Sequence, residues 1–194
     1  AFASMDQVER PRVLDPAVGS GVFLVTAFRH LAEREWARTG TRPGRRVLRR
    51  ILNKQLTGFD IDEKALRLAE LALYLSALEL DPNPRPPAAL RFDALRGKVL
   101  LTMSEGSLGP VNKSAVGRFD LVVGNPPWTA RTRGSSDDTR TGDKATWAQH
   151  TRPTVAARLG DARAAAFDFP DNNPDLPFIW RAMEWARPGG RIAF

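Results

Sequence analysis

The stretch with the clearest chemical potential is GRFDLVVGNPPWTA, residues 117–130. Its run FDLVV is apolar and rich in β-branched residues, which predicts a buried strand. Two consecutive prolines then fix φ and remove two backbone donors, so the chain can continue neither the strand nor an ordinary helix. A stiff turn at the carboxyl end of a parallel strand would hold the Asn125 amide where open α/β sheets bind ligands. The same pattern is also compatible with a rigid strand end that has no chemistry.

A second candidate is the turn DPAVGSG, residues 15–21, between the predicted strand RVLD and a predicted helix over residues 21–37. Glycines at such a turn allow a ligand to approach the backbone, and the helix N-terminus presents unpaired N–H donors. A dinucleotide fingerprint would need a third glycine three residues after Gly21, where Leu24 stands. A phosphate-cradling role is therefore disfavoured.

An acidic residue, Asp60, ends the second predicted strand, LTGFDID. An acid at this place is the usual partner of a ribose diol, whereas Asp62 is better explained as the N-cap of the following helix. The chain has no cysteine, which excludes a thiol nucleophile and a thiolate metal cluster. Its two histidines, His30 and His150, have no metal-ligand spacing, so no metal site is predicted.

Strand and helix patterns alternate along the 194 residues, which predicts an α/β fold with a doubly wound, mostly parallel sheet. A third strand is expected in ALRFDAL, ending near Asp93, and a fourth in RFDLVV. The final helix is expected to close at Pro188-Gly189-Gly190, before a fifth strand. We expect a single domain over residues 1–194, part of a longer protein and truncated after that fifth strand.

Residues 129–173 form a long polar insertion rich in arginine, with one possible helix over residues 154–166. A connection of this length is usually a functional lid or a disordered segment. We expect it to be mobile until a polyanion binds, with phosphates contacted by arginines at four positions: Arg131, Arg133, Arg140 and Arg152.

The charge balance favours a polyanionic partner, since 29 Lys and Arg face 22 Asp and Glu and the pI is near 10.7. An arginine-rich composition with solvated charged faces would explain the same numbers. No run of 18 apolar residues and no signal peptide occur, so neither membrane insertion nor secretion is indicated. A cytoplasmic location is expected by default.

Five motifs in order resemble those of S-adenosylmethionine-dependent DNA adenine-N6 methyltransferases, a Rossmann-like enzyme family. The nearest likeness is to the amino-methyltransferases of restriction-modification and related phage-defence systems. It covers most of residues 12–128 and resumes from about Pro174. The motifs are VLDPAVGSGVFL, LTGFDIDEKALRLAELAL, RFDAL, FDLVVGNPPW and PDLPFIWRAMEWARPGGRIAF.

The resemblance implies S-adenosylmethionine as cofactor and gives each motif a role in binding it. Asp60 would accept from the ribose hydroxyls, Ile61 would pack on the cofactor adenine, and Asp93 would accept from that adenine's amino group. The methionine part would be held by residues of the glycine turn: Asp15, Ala17, Gly19 and Gly21.

The resemblance also implies double-stranded DNA as partner, with the target adenine flipped out of the duplex. The catalytic turn would be Asn125, Pro126, Pro127 and Trp128, with Trp128 stacking on the base in place of the more usual Tyr or Phe. Ring-carbon cytosine methylation needs a cysteine nucleophile and is excluded. Specificity or nuclease domains or subunits outside these residues are expected as further partners.

Two other readings of the sequence stay open. The enzyme could methylate a protein glutamine or an RNA base amine, because those families also use Asn-Pro-Pro followed by an aromatic residue. Alternatively, the chain could be a DNA-binding or assembly subunit that keeps the fold without turnover, although the intact motifs argue against such decay.

Overall fold

The structure is a computed structural model that describes residues 8–103, 107–110, 113–127, 137–168 and 174–194. Residues 137–146 are described by their backbone alone.

The core of the fold is a five-stranded sheet in which every pairing is parallel. The strand order is β3-β2-β1-β4-β5, so consecutive crossovers run first in one direction and then in the other. This confirms the predicted doubly wound α/β sheet, with its switch point between β1 and β4. The strands are β1 (Val13–Asp15), β2 (Leu56–Asp60), β3 (Leu100–Thr102), β4 (Phe119–Val123) and β5 (Ala186–Ala193).

Six α-helices flank the sheet within the described ranges. The first three lie in the β1-to-β3 half of the chain, and the last three follow β4. They are α1 (Val22–Thr39), α2 (Arg45–Gln55), α3 (Glu63–Leu80), α4 (Asp137–Leu159), α5 (Asp161–Ala166) and α6 (Asp175–Trp185). The predicted N-cap of α3 is confirmed, because the Asp62 carboxylate accepts from Lys64 N at 2.8 Å.

Alternate residues of the buried strands pack into cores on opposite faces of the sheet, as the two-residue period of a strand requires. Val13 and Leu121 pack with α1, α2 and α3. Leu14 and Val122 pack with Trp185 of α6 on the other side. Because both faces are covered, the apolar runs of β1 and β4 are continuous in the sequence rather than alternating with polar residues.

The predicted third strand in ALRFDAL is wrong. Residues 90–95 form no strand, and β3 lies further along the chain at Leu100–Thr102, paired with β2. The apolar run around fully buried Leu100 takes the sheet position, whereas Phe92 stays exposed and stacks on Tyr74 with ring centroids 4.4 Å apart. Burial of a continuous apolar run therefore outweighed the alternating pattern before it.

The predicted closure of the last helix by Pro188-Gly189-Gly190 is also wrong, although a fifth strand is present. Helix α6 ends at Trp185, and β5 begins at Ala186, so the glycines lie inside the strand. They occupy a register shift against β4, where Gly189 has φ 78° and a Cβ on Gly190 would lie 2.7 Å from the Phe119 carbonyl oxygen. The glycines therefore serve a bulge in β5 rather than a helix end.

The long insertion is more structured than predicted. The expected helix over residues 154–166 is two helices, α4 and α5, separated at Gly160, and α4 begins well before residue 154. Buried Val155 and Ala164 pack against Trp180 of α6, so this part of the insertion adds a small apolar core beside that helix. Its expected mobility without a polyanion stays a prediction. Of the arginines expected to meet phosphates, Arg152 instead donates to carbonyls at the end of α5. The Arg131 and Arg133 predictions lie outside the described residues, as does the side chain of Arg140.

Candidate active site

The glycine turn after β1 is fixed by backbone hydrogen bonds at successive residues. Two of the three acids predicted for the cofactor site, Asp15 and Asp60, take part, because each accepts an N–H of the turn. The bonds are Ala17 N to Asp15 Oδ1 at 3.0 Å, Val18 N to the Phe59 carbonyl at 3.0 Å and Gly19 N to Asp60 Oδ2 at 2.8 Å. The turn is therefore held mainly by the carboxyl end of β2, which lies beside β1 in the sheet.

Gly21 begins α1 in a conformation that only glycine adopts without strain. Its φ is 91°, and a Cβ placed on it would lie 2.9 Å from the Cα of Ala69 in α3. Gly19 also has a positive φ, 53°, but a Cβ there would have no neighbour within 4 Å. Gly21 thus serves backbone conformation and close packing of α1 on α3, whereas Gly19 serves conformation alone.

We expect Gly21→Ala to destabilise the protein by roughly 1–3 kcal/mol more than Gly19→Ala. The reason is that the first variant adds a steric clash with backbone atoms to the strain of a positive φ that both variants share. Urea unfolding midpoints of the two variants compare the effects directly. Equal losses would mean that the contact with Ala69 relaxes freely.

The turn after β4 touches the turn after β1. A Cβ on Gly124 would lie 2.8 Å from Asp15 Oδ1 and 3.4 Å from Pro16 Cδ. Gly124 N donates to the Ala193 carbonyl of β5 at 3.2 Å, which fixes the segment between both neighbouring strands. The two most distinctive motifs of the sequence are therefore brought together at the switch point of the sheet, where α/β proteins bind ligands.

Asp15 is fully buried at this junction, and burial raises the pKa of its carboxyl from 3.8 to about 7. The Ala17 N–H opposes the shift and the charge of Asp60 adds to it. Asp15 Oδ2 is buried and has no hydrogen-bond partner among the described residues. In this conformation Asp15 therefore holds the turn through Oδ1 and leaves one buried acceptor unsatisfied.

The stability that Asp15 contributes should be present at low pH and lost as the pH rises through about 7, because its pKa is raised on folding. Between pH 5 and pH 8 this group alone should lower the free energy of unfolding by about 2–3 kcal/mol. Asp15→Asn should remove that part of the pH dependence, whereas Asp161→Asn, an exposed control, should keep it. Denaturant unfolding at both pH values tests this. A slope in Asp15→Asn equal to that of the unmodified protein would contradict it.

Asp60 lies at the end of β2 with both carboxylate oxygens engaged by backbone donors. Oδ2 accepts from Gly19 N, and Oδ1 accepts from Asp62 N at 2.9 Å. Each oxygen keeps further acceptor capacity for a ligand hydroxyl. The neighbouring Ile61 side chain is 49% exposed, which leaves an apolar surface next to that acid.

Asp93 is not brought to this edge of the sheet. It lies in the loop before β3, where its carboxylate accepts from Arg49 Nε of α2 at 3.0 Å and its carbonyl accepts from Tyr74 Oη at 2.7 Å. The hydrogen bond from Arg49 lowers the pKa of the Asp93 carboxyl. Asp93 precedes β3, which runs parallel to β2, and its partner Tyr74 lies in the second half of α3, so Asp93 lies towards the amino ends of these strands. The structure therefore does not bring Asp93 together with Asp15 and Asp60, and its contact with a cofactor adenine stays a prediction.

The Asn-Pro-Pro turn lies at the carboxyl end of β4, as predicted. Asn125 and Pro127 are exposed and Pro126 is buried, so the turn lies at the surface and is anchored at its centre. Trp128 lies outside the described residues. Among the described residues, no group of three His, Cys, Asp or Glu side chains could hold a metal ion.

Two family models match the chain. The model of the MmeI DNA-methyltransferase domain matches residues 3–95, and the model of the Eco57I restriction-modification methylase matches residues 54–194. The second match spans most of the chain, including the Asn-Pro-Pro turn. The chain belongs to the Eco57I restriction-modification methylase family. It is thus a member of a family of restriction-modification DNA methylases.

This chain spans only a small part of the proteins that it matches. A Methanocaldococcus jannaschii protein named as a type II restriction enzyme and methyltransferase is 36% identical over 124 residues, which is 61% of this chain and 10% of that protein. The structure of the type I restriction enzyme EcoKI M protein matches with a TM-score of 0.57 and 18% identity over 98% of this chain and 30% of that one. The DNA-bound type ISP enzyme LlaBIII matches with a TM-score of 0.52 and 12% identity, over 94% of this chain and 13% of its own. At these identities the structural matches establish the fold.

The described residues of this chain are compatible with the cofactor that the family implies. The unsatisfied Asp15 Oδ2 would gain a donor from a ligand ammonium that reached it, and Asp60 can accept from a diol. Ile61 offers an apolar face to a purine. The amino acid, ribose and base parts of S-adenosylmethionine thus each have a matching group near the glycine turn.

Sequence reasoning missed two buried polar residues of this methylase, Ser107 and Arg181. Ser107 Oγ donates to the Pro16 carbonyl of the glycine turn, and Arg181 Nε donates to the Ser107 carbonyl at 3.3 Å. Arg181 could have been noticed because it stands between Phe178 and Trp185, at helical spacing on an otherwise apolar face. Ser107 gives no comparable signal, because its role depends on contacts distant in sequence.

Within the described parts of the chain, no helix is both long and apolar enough to cross a membrane.

Proposed function

We propose that this chain transfers a methyl group from S-adenosylmethionine to the exocyclic N6 amine of a flipped-out adenine in DNA. The observation that carries the proposal is the contact between the two turns at the switch point, where Gly124 lies against Asp15 and Pro16. A group held by the glycine turn and a base held at Asn125 would be neighbours there. Membership of a restriction-modification methylase family supports DNA over a protein glutamine or a free RNA base as substrate.

The chemical problem is that adenine N6 is a weak nucleophile, since its lone pair is delocalised into the ring. The Asn125 side-chain oxygen and the Pro126 carbonyl are the acceptors that we assign to its two N–H bonds. Accepting both would favour a pyramidal nitrogen with a localised lone pair and would stabilise its developing positive charge. The two prolines keep these acceptors in place, which supplies the orientation that a direct transfer needs.

Bound S-adenosylmethionine would supply an electrophilic methyl group on a sulfonium. In that transfer the amine lone pair would take the methyl group, S-adenosylhomocysteine would be the leaving group, and the proton lost by the methylated amine would pass to solvent. Asp60 holds the ribose end and the backbone of the glycine turn, and Asp15 holds the Ala17 N–H of that turn. The described residues thus act by binding and orientation, without a covalent intermediate.

The target base must leave the duplex before its amine can reach Asn125, because N6 is paired inside the helix. Trp128 directly follows the prolines in sequence and is the residue that we assign to stacking on the extruded base. Sequence specificity, and any nuclease, would reside in parts of the full-length protein or in subunits beyond these residues. Action on cellular or invading DNA would place the enzyme in the cytoplasm.

The decisive experiment is methylation of defined DNA duplexes by the full-length protein, with the modified nucleosides identified by mass spectrometry. The proposal expects N6-methyladenine that depends on added S-adenosylmethionine. N4-methylcytosine would overturn the choice of base. Cofactor binding without any DNA methylation would instead support a non-catalytic DNA-binding subunit.

A further inference from the structure

The glycine turn has an anchor that belongs to none of the motifs in the sequence. We propose that Ser107 and Arg181 are positioning residues for the cofactor turn, with Arg181 acting through Ser107. They hold the turn through the Pro16 carbonyl, which neither β1 nor β2 engages in the bonds described above, and Arg181 comes from α6, more than 150 residues later in the chain. The proposal rests on the proposed function in one respect, namely that this turn holds the methionine part of the cofactor.

Ser107 completes the set of backbone anchors on the turn. The N–H groups of Ala17, Val18 and Gly19 are taken by β1 and β2, whereas the Pro16 carbonyl accepts from Ser107 Oγ. Ser107 itself is only 4% exposed, so water does not readily replace its hydroxyl. Pro16 lies directly between Asp15 and Ala17. Its carbonyl belongs to the Pro16–Ala17 peptide, so Ser107 holds the chain immediately after β1 ends at Asp15.

Arg181 fixes the described loop that carries Ser107. The side chain has no exposed surface, and its guanidinium donates to the Ser107 carbonyl at 3.3 Å and, through Nη2, to the Gly109 carbonyl at 3.0 Å. A buried guanidinium that donates to both carbonyls ties the described segment 107–110 to α6. Because the planar guanidinium donates in several directions at once, a lysine ammonium cannot reproduce the hydrogen bonds to both carbonyls.

The charge of Arg181 is balanced within α6. Nη1 donates to Glu184 Oε2 at 2.9 Å, and the guanidinium carbon lies 5.6 Å from the centre of the Trp185 ring. Nη1 also donates to the His150 carbonyl of α4 at 3.4 Å. Arg181 therefore links α4, the helix that follows the Asn-Pro-Pro turn in the chain, to the loop segment that supports the glycine turn.

This connection predicts that loss of Ser107 weakens binding of only one part of the cofactor, the methionine part. If Ser107 sets the position of Pro16, its loss should weaken contacts made by the turn with the methionine part. The ribose is assigned to Asp60, whose carboxylate is held by β2 and the start of α3 rather than by Ser107. A general loss of protein stability would instead weaken binding of the methionine part and of the ribose part alike.

The first test is Ser107→Ala in the full-length protein, with binding of S-adenosylmethionine, S-adenosylhomocysteine and adenosine measured by calorimetry and competition. Affinity for the first two should fall roughly three- to tenfold, as expected for one lost buried hydrogen bond, and affinity for adenosine should be unchanged. Equal weakening for all three ligands, or no change for any, would overturn the proposal.

The second test asks whether Arg181 acts through Ser107, by a double-mutant cycle with Arg181→Met and Ser107→Ala. The double variant should bind S-adenosylmethionine no more weakly than Arg181→Met alone. Arg181→Lys should behave like Arg181→Met although it keeps a positive charge beside Glu184. Additive effects, or rescue by lysine, would contradict the assigned role.

A matched control is Arg158→Met, because Arg158 also joins α4 to α6, through a bond from Nη2 to the Met183 carbonyl at 2.6 Å, yet does not touch the loop. It should leave affinity for S-adenosylmethionine unchanged. A loss equal to that of Arg181→Met would mean that any loosening of α4 on α6 suffices, which would remove the specific role of Arg181.

Hydrogen exchange of the cofactor-free protein gives a readout that does not depend on the proposed function. Ser107→Ala should speed exchange in the peptide that contains Val18 and Gly19, and Arg158→Met should not. If that holds while the unmodified protein fails to bind S-adenosylmethionine, the anchoring stands and the proposed function fails. If the unmodified protein binds the cofactor but exchange in Ser107→Ala is unchanged, the anchoring fails and the proposed function stands.

Discussion

Asn125→Ala in the full-length protein is expected to lower the rate of methyl transfer to DNA by roughly 10²–10³-fold, the usual effect of losing one oriented group that stabilises developing charge. Affinity for S-adenosylmethionine should change less than about twofold. The reason is that Asn125 lies on the exposed turn after β4, whereas the residues assigned to the cofactor lie on the turns after β1 and β2. Single-turnover assays with a tritiated methyl group, combined with calorimetry, measure both quantities.

Two further variants sharpen this test. Asn125→Asp keeps a side-chain oxygen acceptor in the same place and should retain more activity than the alanine variant. Asn53→Ala removes an amide that donates to the Arg49 carbonyl of its own helix and should leave turnover unchanged. Retained turnover in Asn125→Ala would remove Asn125 from the mechanism, and a large loss of cofactor affinity would reassign it to cofactor binding.

Asp60→Ala is expected to weaken binding of S-adenosylmethionine by roughly 10- to 100-fold, equivalent to about 1.5–3 kcal/mol for lost hydrogen bonds to a charged group. The structure adds a second consequence, because Asp60 also accepts from the Gly19 and Asp62 N–H groups. The variant should therefore lose about 1 kcal/mol of stability as well. Calorimetric titration and thermal unfolding of the same samples separate the two effects.

Asp62→Ala is the matched control for this prediction, since it changes the same residue type two positions away. Its carboxylate caps α3 through Lys64 N, so its loss should cost about 1 kcal/mol of stability without weakening cofactor binding. Equal loss of affinity in both variants would show that cofactor binding depends on an ordered N-terminus of α3 and not on an acid that accepts from the ribose. An unchanged dissociation constant in Asp60→Ala would end the ribose assignment.

The sequence predicted the parts of the site that local chemistry specifies. The turn at Gly19 and Gly21, the acid at the end of β2 and the prolines after β4 are each encoded by residues whose backbone or side-chain properties have few alternatives. Alternation of strands and helices then gave the parallel sheet. Because parallel strands present their carboxyl ends at one edge, sequence order alone brought the turns after β1, β2 and β4 to that edge.

The errors arose where two local patterns competed for one structural position. ALRFDAL and the run around Leu100 both have strand character, and burial of Leu100 against β2 decided between them. Asp93 was consequently expected beside Asp60, whereas in the structure its carboxylate pairs with Arg49 of α2. The Pro-Gly-Gly sequence has two common uses, as a helix end and as a bulge, and pairing of β5 with β4 selected the bulge.

The sequence by itself thus determined strands β1, β2 and β4, the glycine turn and the Asn-Pro-Pro turn, because each is encoded by residues close together in the chain. Only the tertiary structure decided how closely Gly124 approaches Asp15, that Asp15 is buried with its pKa raised to about 7, and that Ser107 and Arg181 support the turn. Those features depend on contacts between residues up to 109 positions apart, as between Asp15 and Gly124, and on the exclusion of water from the space between them. No local sequence pattern encodes these distant contacts or the exclusion of water. Burial and the strength of a hydrogen bond are properties of the packed surroundings rather than of the single residue.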